Sequence, residues 1–320
     1  MPLTADNQQI TGIVPVIPTP FELPGQTIDL ESLHRLTDFA VGSNAAAVCT
    51  PAYGSEFYKL SEAERHLVVE TVIKASASRV PVIAQCNHGS PHIAAEFAQR
   101  YLAAGAGVIS IALPRLFPLT EPDLLEFAEV FCNAVSSPVL VQDFNPAGGT
   151  VGDDFCRELL NRCPNFRYIK LEEPQAGAKV EAIREATADK VAVLEGWGGL
   201  YTLELLPSGI KGVMPGLSVT DILAEVWRLG NAQKMDEAFE LFAPLTAWLT
   251  FVLSDTEVFN VLEKRLLVAR GVLDQTATRQ ATRRLSSDVL AHADFLCTQI
   301  MRVVERLPLQ PPTVGQHAGP

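Results

Sequence analysis

Eight short apolar runs, each followed by a longer segment with helical spacing, constrain this chain more than any other feature. They are Gly12–Ile17, Ala45–Thr50, Val80–Gln85, Gly107–Ala112, Pro138–Asp143, Arg167–Glu172, Val191–Glu195 and Gly212–Pro215. Each is close to continuously apolar, the pattern of strands buried on both faces of a parallel sheet rather than half-solvated. Strands alternating with helices read as repeated βαβ units. Eight such units close naturally into a (β/α)8 (TIM) barrel. An open doubly wound sheet is the rival, but it usually has fewer repeats and a glycine-rich first turn, which is missing here.

Helix starts are marked by oxygen-bearing caps. Ser61 with Glu64, Thr120 with Asp123 and Ser218 with Asp221 each place a hydroxyl and a carboxylate where free backbone N–H groups point, and Ser90 precedes Pro91. From about Asn231 to Leu307 only helical spacing remains, as in Phe239, Leu241, Phe242 and Leu245. The expected division is a barrel over residues 1–225 that carries the active site, a C-terminal helical extension over 226–308, and a disordered tail over 309–320.

The formal charge of -12, with no basic block, argues against nucleic acid or an anionic membrane surface as partner. No uninterrupted apolar run is long enough to span a bilayer, and Met1-Pro2-Leu3-Thr4-Ala5-Asp6 does not begin a secretory signal, so a cytoplasmic protein is expected. The six cysteines lack a paired spacing and read as reduced, buried thiols. His88 and His92 are four apart, but Pro91 lies between them, and no motif calls for a metal or a cofactor.

The chemistry concentrates in Phe166-Arg167-Tyr168-Ile169-Lys170-Leu171-Glu172. Strand alternation puts Tyr168, Lys170 and Glu172 on one face and Ile169 and Leu171 on the other. The helices must cover the Ile/Leu face, so Lys170 points into the barrel. Burying an ammonium is costly unless it is paired or neutral, and a neutral amine is what attacks a carbonyl. The bland alternative is an ion pair, Lys170–Glu172 or Lys170–Glu195, that plugs the barrel.

At this point the chain resembles the dihydrodipicolinate synthase / N-acetylneuraminate lyase family of Schiff-base aldolases. The resemblance rests on five fragments in order. They are Pro15-Val16-Ile17-Pro18-Thr19-Pro20-Phe21, Tyr53-Gly54-Ser55-Glu56 followed by Leu60-Ser61 and Glu64-Arg65, Val80-Pro81-Val82-Ile83-Ala84, Ala103-Ala104-Gly105-Ala106-Gly107, and Ile169-Lys170. It implies a (β/α)8 barrel with a helical extension, a homo-oligomer (dimer or tetramer), and an imine between Lys170 and pyruvate or another 2-oxo acid, with no cofactor.

Departures from the family pattern bear on the reaction. Where the family usually reads Gly-(Thr/Ser)-Thr-Gly-Glu, this chain has Ala52-Tyr53-Gly54-Ser55-Glu56, so Tyr53 replaces the relaying hydroxyl. Strand five reads Gln142-Asp143-Phe144-Asn145 in place of Tyr-Asn-x-Pro, which removes a phenol at Gln142. The tyrosine that synthases lend to a neighbouring subunit falls at Leu116, and their arginine for the second substrate falls at Ala147. Lys170 and Tyr53 are therefore the expected catalytic pair. Asp143, Gln142 and Glu56 are possible acid/base or supporting groups. Gly54, Ser55, Thr19, Glu172, Gly196, Trp197, Met214 and Arg115 are expected to bind substrate, since barrel active sites sit at the C-terminal strand ends.

The expected function is a lyase or aldolase that makes or breaks a C–C bond through the imine. Alternatives are a sugar-acid dehydratase using the same lysine, a true 4-hydroxy-tetrahydrodipicolinate synthase, and a sugar-acid-binding protein without turnover.

Overall fold

The computed structural model describes residues 9–24, 26–145 and 148–307. All eight expected strands form, most shorter than their apolar runs. They are β1 (Gly12–Ile13), β2 (Val48–Thr50), β3 (Val82–Gln85), β4 (Val108–Ala112), β5 (Val139–Asp143), β6 (Phe166–Leu171), β7 (Ala192–Glu195) and β8 (Gly212–Val213). Every pairing is parallel, and the sheet runs β1-β8-β7-β6-β5-β4-β3-β2. The two ends meet: the backbone N–H of Cys49 donates to Pro15 O at 2.9 Å and that of Ala46 to Ile13 O at 2.7 Å. Closure leaves no free sheet edge.

The side-chain period of two sorts the residues into two cores. Val14, Val16, Ile83, Val108, Leu140, Tyr168 and Leu194 fill the barrel, whereas Ile109, Val141, Ile169, Leu171 and Val193 face the helices. The helices between strands are α1 (Leu30–Gly42), α2 (Glu62–Ser76), α3 (Pro91–Ala104), α4 (Glu121–Asn133), α5 (Asp153–Arg162), α6 (Gly177–Ala186), α7 (Thr202–Leu205) and α8 (Thr220–Asn231). The capping boxes Ser61/Glu64 and Thr120/Asp123 form as expected. The one expected at Ser218/Asp221 does not. Ser218 Oγ instead donates to Glu263, and Asp221 is held by Arg270, because buried tertiary partners displace a local cap.

Three further helices follow, α9 (Met235–Val252), α10 (Thr256–Ala269) and α11 (Ser287–Val304). Helix α8 runs across residue 225, so the barrel passes into the extension without a break. Helix α10 is not a plain apolar helix. It buries Asn260, Glu263 and Lys264 toward the barrel mouth. The expected tail 309–320 lies outside the described residues, as does Ala147. Among the described residues, no helix is long and apolar enough to cross a membrane, and no cluster of His, Cys, Asp and Glu could hold a metal ion. All six cysteines are free and buried.

Candidate active site

A cavity of about 290 Å³ opens at the C-terminal ends of the strands. Lys170 lies in its wall, 6% exposed, in register between Gln142 on β5 and Leu194 on β7. Its Nζ is 3.0 Å from Glu172 Oε1, so the Lys170–Glu172 ion pair does form. The pair is not a plug, since both side chains border the open cavity. The same Glu172 oxygen accepts from Gln142 Nε2, and Gln142 Oε1 in turn accepts from Gln85 Nε2. Burial raises the pKa of Glu172, while Lys170 and the Gln142 donor pull against that rise. Its Oε2 has no protein partner among the described residues.

Glycine is required beside this pair. A Cβ on Gly196 would lie 2.5 Å from Glu172 Cγ and 2.8 Å from Lys170 Cγ and Cε. Just before it, Glu195 is buried and accepts the backbone N–H of Trp197 at 3.0 Å and of Gly199 at 2.8 Å, fixing the turn that carries Gly196. Burial pushes its carboxyl up to about 7. The alternative Lys170–Glu195 ion pair does not form among the described residues.

Across the cavity, Tyr53 opens a single 3-10 turn, Tyr53–Ser55. Its ring packs edge-on to Phe57 at 5.1 Å and tilted to Phe144 at 5.5 Å, and Phe144 meets Trp197 at 6.1 Å. Burial, then the nearby Glu172 charge, raises the Tyr53 pKa and keeps it a phenol. Gly54, Trp197, Met214 and Gln142 also line the cavity. Among the described residues, the N–H groups of Tyr53 and Gly54, at the open end of the turn, have no protein acceptor, whereas that of Ser55 is committed to Ala52 O at 2.9 Å.

Three expectations are corrected here, at Ser55, Thr19 and Arg115, while Asp143 takes the supporting role already open to it. Ser55 and Thr19 are fully buried outside the cavity lining. Thr19 Oγ1 donates to Ser55 O at 2.7 Å, and Ser55 Oγ donates to Ile17 O at 2.6 Å, so both hold the turn rather than a substrate. Arg115 and Asp143 bind each other: Arg115 Nε and Nη2 reach the Asp143 carboxylate at 2.8 and 2.6 Å, and Val151 N adds a third donor at 2.7 Å. Strand alternation turns Asp143 away from the lumen, and the guanidinium is the partner that lets this carboxylate be buried. Neither side chain lines the cavity. Leu116 is 84% exposed.

Glu56, singled out as a loop-holding or acid/base group, is buried within a charge network. Lys264 on α10 donates to its Oε1 at 2.6 Å, Lys59 to its Oε2 at 2.9 Å, and Lys59 also bridges to Glu257 at 2.7 Å. This network ties the Tyr53–Ser55 turn to the helical extension. Phe259 presses on Gly54 from the same helix, and Leu253 to Thr256 form the outer cavity wall. Sequence reading missed Gln85, Phe144 and this wall. Gln85 and Phe144 sit at strand ends, where polar and aromatic residues after an apolar run are a usable signal. The α9–α10 wall has none, because it reaches the site only through the tertiary fold.

The family model for the dihydrodipicolinate synthetase family matches residues 9–287. The chain is 28% identical over 270 residues to an L-2-keto-3-deoxyarabonate dehydratase of Azospirillum brasilense, covering 81% of this chain and 84% of the relative. It is 27% identical over 208 residues to a 4-hydroxy-tetrahydrodipicolinate synthase of Sorangium cellulosum, 64% of this chain and 68% of the relative. The crystal structure of YagE from E. coli K12, a prophage protein of the dihydrodipicolinic acid synthase family in complex with pyruvate, superposes with a TM-score of 0.84 at 21% identity. That superposition covers 92% of this chain and 99% of YagE, and it supports the fold. A barrel of this topology, an inward lysine on its sixth strand and a family match over most of its length make this protein a lyase of the dihydrodipicolinate synthetase family.

Proposed function

We propose that Lys170 forms an imine with the 2-oxo group of a 2-oxo acid, and that Glu172 moves the protons this chemistry requires. The observation that carries the reading is the pairing of the one amine among the described cavity-lining residues with a buried carboxylate 3.0 Å away whose second oxygen is unclaimed. Transfer of a proton from Lys170 Nζ to Glu172 leaves a neutral amine, which adds to the ketone carbon. The carbinolamine then loses water, with the protonated Glu172 or the Tyr53 phenol supplying the proton to the departing hydroxyl. The protonated imine withdraws electrons from C3, so a C–C bond can form or break there. The unclaimed N–H groups of Tyr53 and Gly54 suit the substrate carboxylate. Phe144, Trp197 and Met214 supply an apolar wall that strengthens these contacts.

A second reading, dehydration, is favoured by one observation. A carboxylate with a free oxygen stands beside the imine position, and β5 carries Gln142 there instead of a phenol. Glu172 could take the C3 proton to give an enamine, whose electrons then expel the C4 hydroxyl as water when the Glu172 acid or the Tyr53 phenol returns a proton; the conjugated imine left behind isomerises and is hydrolysed, freeing Lys170 and the new oxo acid. The Azospirillum relative is named a dehydratase. We further propose a homo-oligomer working on a small-molecule substrate in the cytoplasm.

Borohydride reduction in the presence of pyruvate tests the proposal. A stable adduct is expected on Lys170 by mass spectrometry, with none on Lys170→Met. Absence of an adduct with any 2-oxo acid would return the pair to a purely structural role. Tyr53→Phe should slow turnover while leaving adduct formation in place.

A further inference from the structure

We infer that Gln85, two strands away from Gln142 and outside the cavity, is a positioning residue that dictates which end of the Gln142 amide faces Glu172. The inference rests on the acid/base reading of Glu172 above and extends it to a residue that touches no substrate.

A primary amide has one accepting end and one donating end. Gln85 Nε2 donates to Gln142 Oε1, which occupies the accepting end and leaves Nε2 to meet Glu172 Oε1. Gln85 and Gln142 come from β3 and β5 and are each at most 3% exposed, and Glu172 follows directly on the end of β6. Within a buried hydrogen-bonded chain, the orientation of one amide biases that of the next. A donor aimed at Glu172 favours its carboxylate. A carbonyl in the same place would repel the carboxylate and accept from the acid. The chain also separates the two oxygens: Gln142 and Lys170 both occupy Oε1, so Oε2 is the oxygen left to exchange protons with the substrate.

Other charges around Glu172 are Lys170 on its own strand, Asp143 on β5, Glu195 on β7 and the Tyr53 phenol across the cavity; the Cys49 thiol on β2 faces Lys170. None of them depends on the Gln142 orientation. Asp143 is held by Arg115, and Glu195 by backbone N–H groups. Gln85→Leu therefore alters the amide chain while leaving this field in place, whereas Gln85→Glu also adds a negative charge of its own, so the Leu variant isolates the amide effect.

The experiment uses Gln85→Glu and Gln85→Leu in the full-length protein, with two readouts. Glutamate carboxyl-labelled NMR, with Glu172→Gln to assign the signal, follows the ionisation of Glu172 itself. Exchange of pyruvate methyl protons in heavy water, with Lys170→Met as baseline, follows proton transfer through the imine. In Gln85→Glu, the ionised carboxylate introduced on β3 would claim the Gln142 amide N–H and turn its carbonyl to Glu172. The Glu172 midpoint should then move up by about one pH unit, with a smaller upward shift in Gln85→Leu. The low-pH limb of the exchange profile should move with it. Borohydride trapping of pyruvate should persist in both variants, which shows that the barrel is folded. An unmoved Glu172 signal in both variants overturns the inference. A Glu172 signal that moves while the exchange profile stays still upholds the inference and instead sinks the acid/base reading of Glu172.

Discussion

Gly196→Ala offers the sharpest test of how tightly the reacting pair is held. A methyl at this position would sit 2.5 Å from Glu172 Cγ and 2.8 Å from two carbons of Lys170. Carbon atoms pack favourably at about 3.5–4.0 Å, so the β6 side chains must retreat by about 1 Å. They cannot go far, because Ile169 and Leu171 pin the same strand to the helix layer. Overpacking of this kind costs roughly 1–3 kcal/mol of stability. A displacement of about 1 Å at reacting groups costs on the order of 100-fold in rate. The assay is the rate of borohydride-trappable imine formation with pyruvate, alongside a denaturant midpoint. Gly89→Ala is the control, since a Cβ there meets nothing within 4 Å. Its stability should stay within about 0.5 kcal/mol of wild type. If Gly196→Ala forms imine at a rate within about threefold of wild type, the amine does not work from the position described, and the placement argument fails.

Three further outcomes follow from the same contacts. Arg115→Met should destabilise by roughly 3–5 kcal/mol, because Asp143 would be left buried with only the Val151 N–H, while KM for the 2-oxo acid hardly changes. A large rise in KM at unchanged stability would restore Arg115 to the substrate. Glu56→Leu alone leaves the buried Lys264 ammonium with the Ala277 carbonyl in place of its carboxylate and should cost a similar roughly 3–5 kcal/mol, whereas Glu56→Leu with Lys264→Met should recover much of it; additive losses in a denaturation double-mutant cycle would contradict this. The Glu195 carboxyl, raised from 4.5 to about 7, binds its proton more tightly in the folded state. Its contribution is therefore full below pH 4.5 and is lost as pH rises through 7, about 3 kcal/mol in all. Glu195→Gln should flatten that part of the stability profile; an identical slope in the variant would assign it to other groups.

The placement of Lys170 and Glu172 is legible in the sequence, because strand alternation is a local rule and Ile169 and Leu171 declare which face the helices cover. The Lys170–Glu172 pair was also foreseeable as one possible use of that face. What periodicity could not decide was whether the pair fills the lumen or borders a cavity, since that depends on Gly196 and Phe144 from neighbouring strand ends. Arg115 illustrates the reverse error. It looks like a substrate-binding residue from its position after a barrel strand, yet its partner is Asp143, 28 positions along the chain, which takes a supporting role.

The amino-acid sequence by itself determined the repeated strand–helix alternation, the two faces of each strand and the identity of the inward amine. These follow from residue spacing and the need to bury apolar side chains on both sides of a parallel sheet. Only the tertiary structure decided the partners. The link from Gln85 through Gln142 to Glu172, the clasp of α10 on Glu56 and the closure of β1 onto β2 depend on barrel register and on residues far apart in the chain. No local pattern encodes which buried donor will meet which buried acceptor.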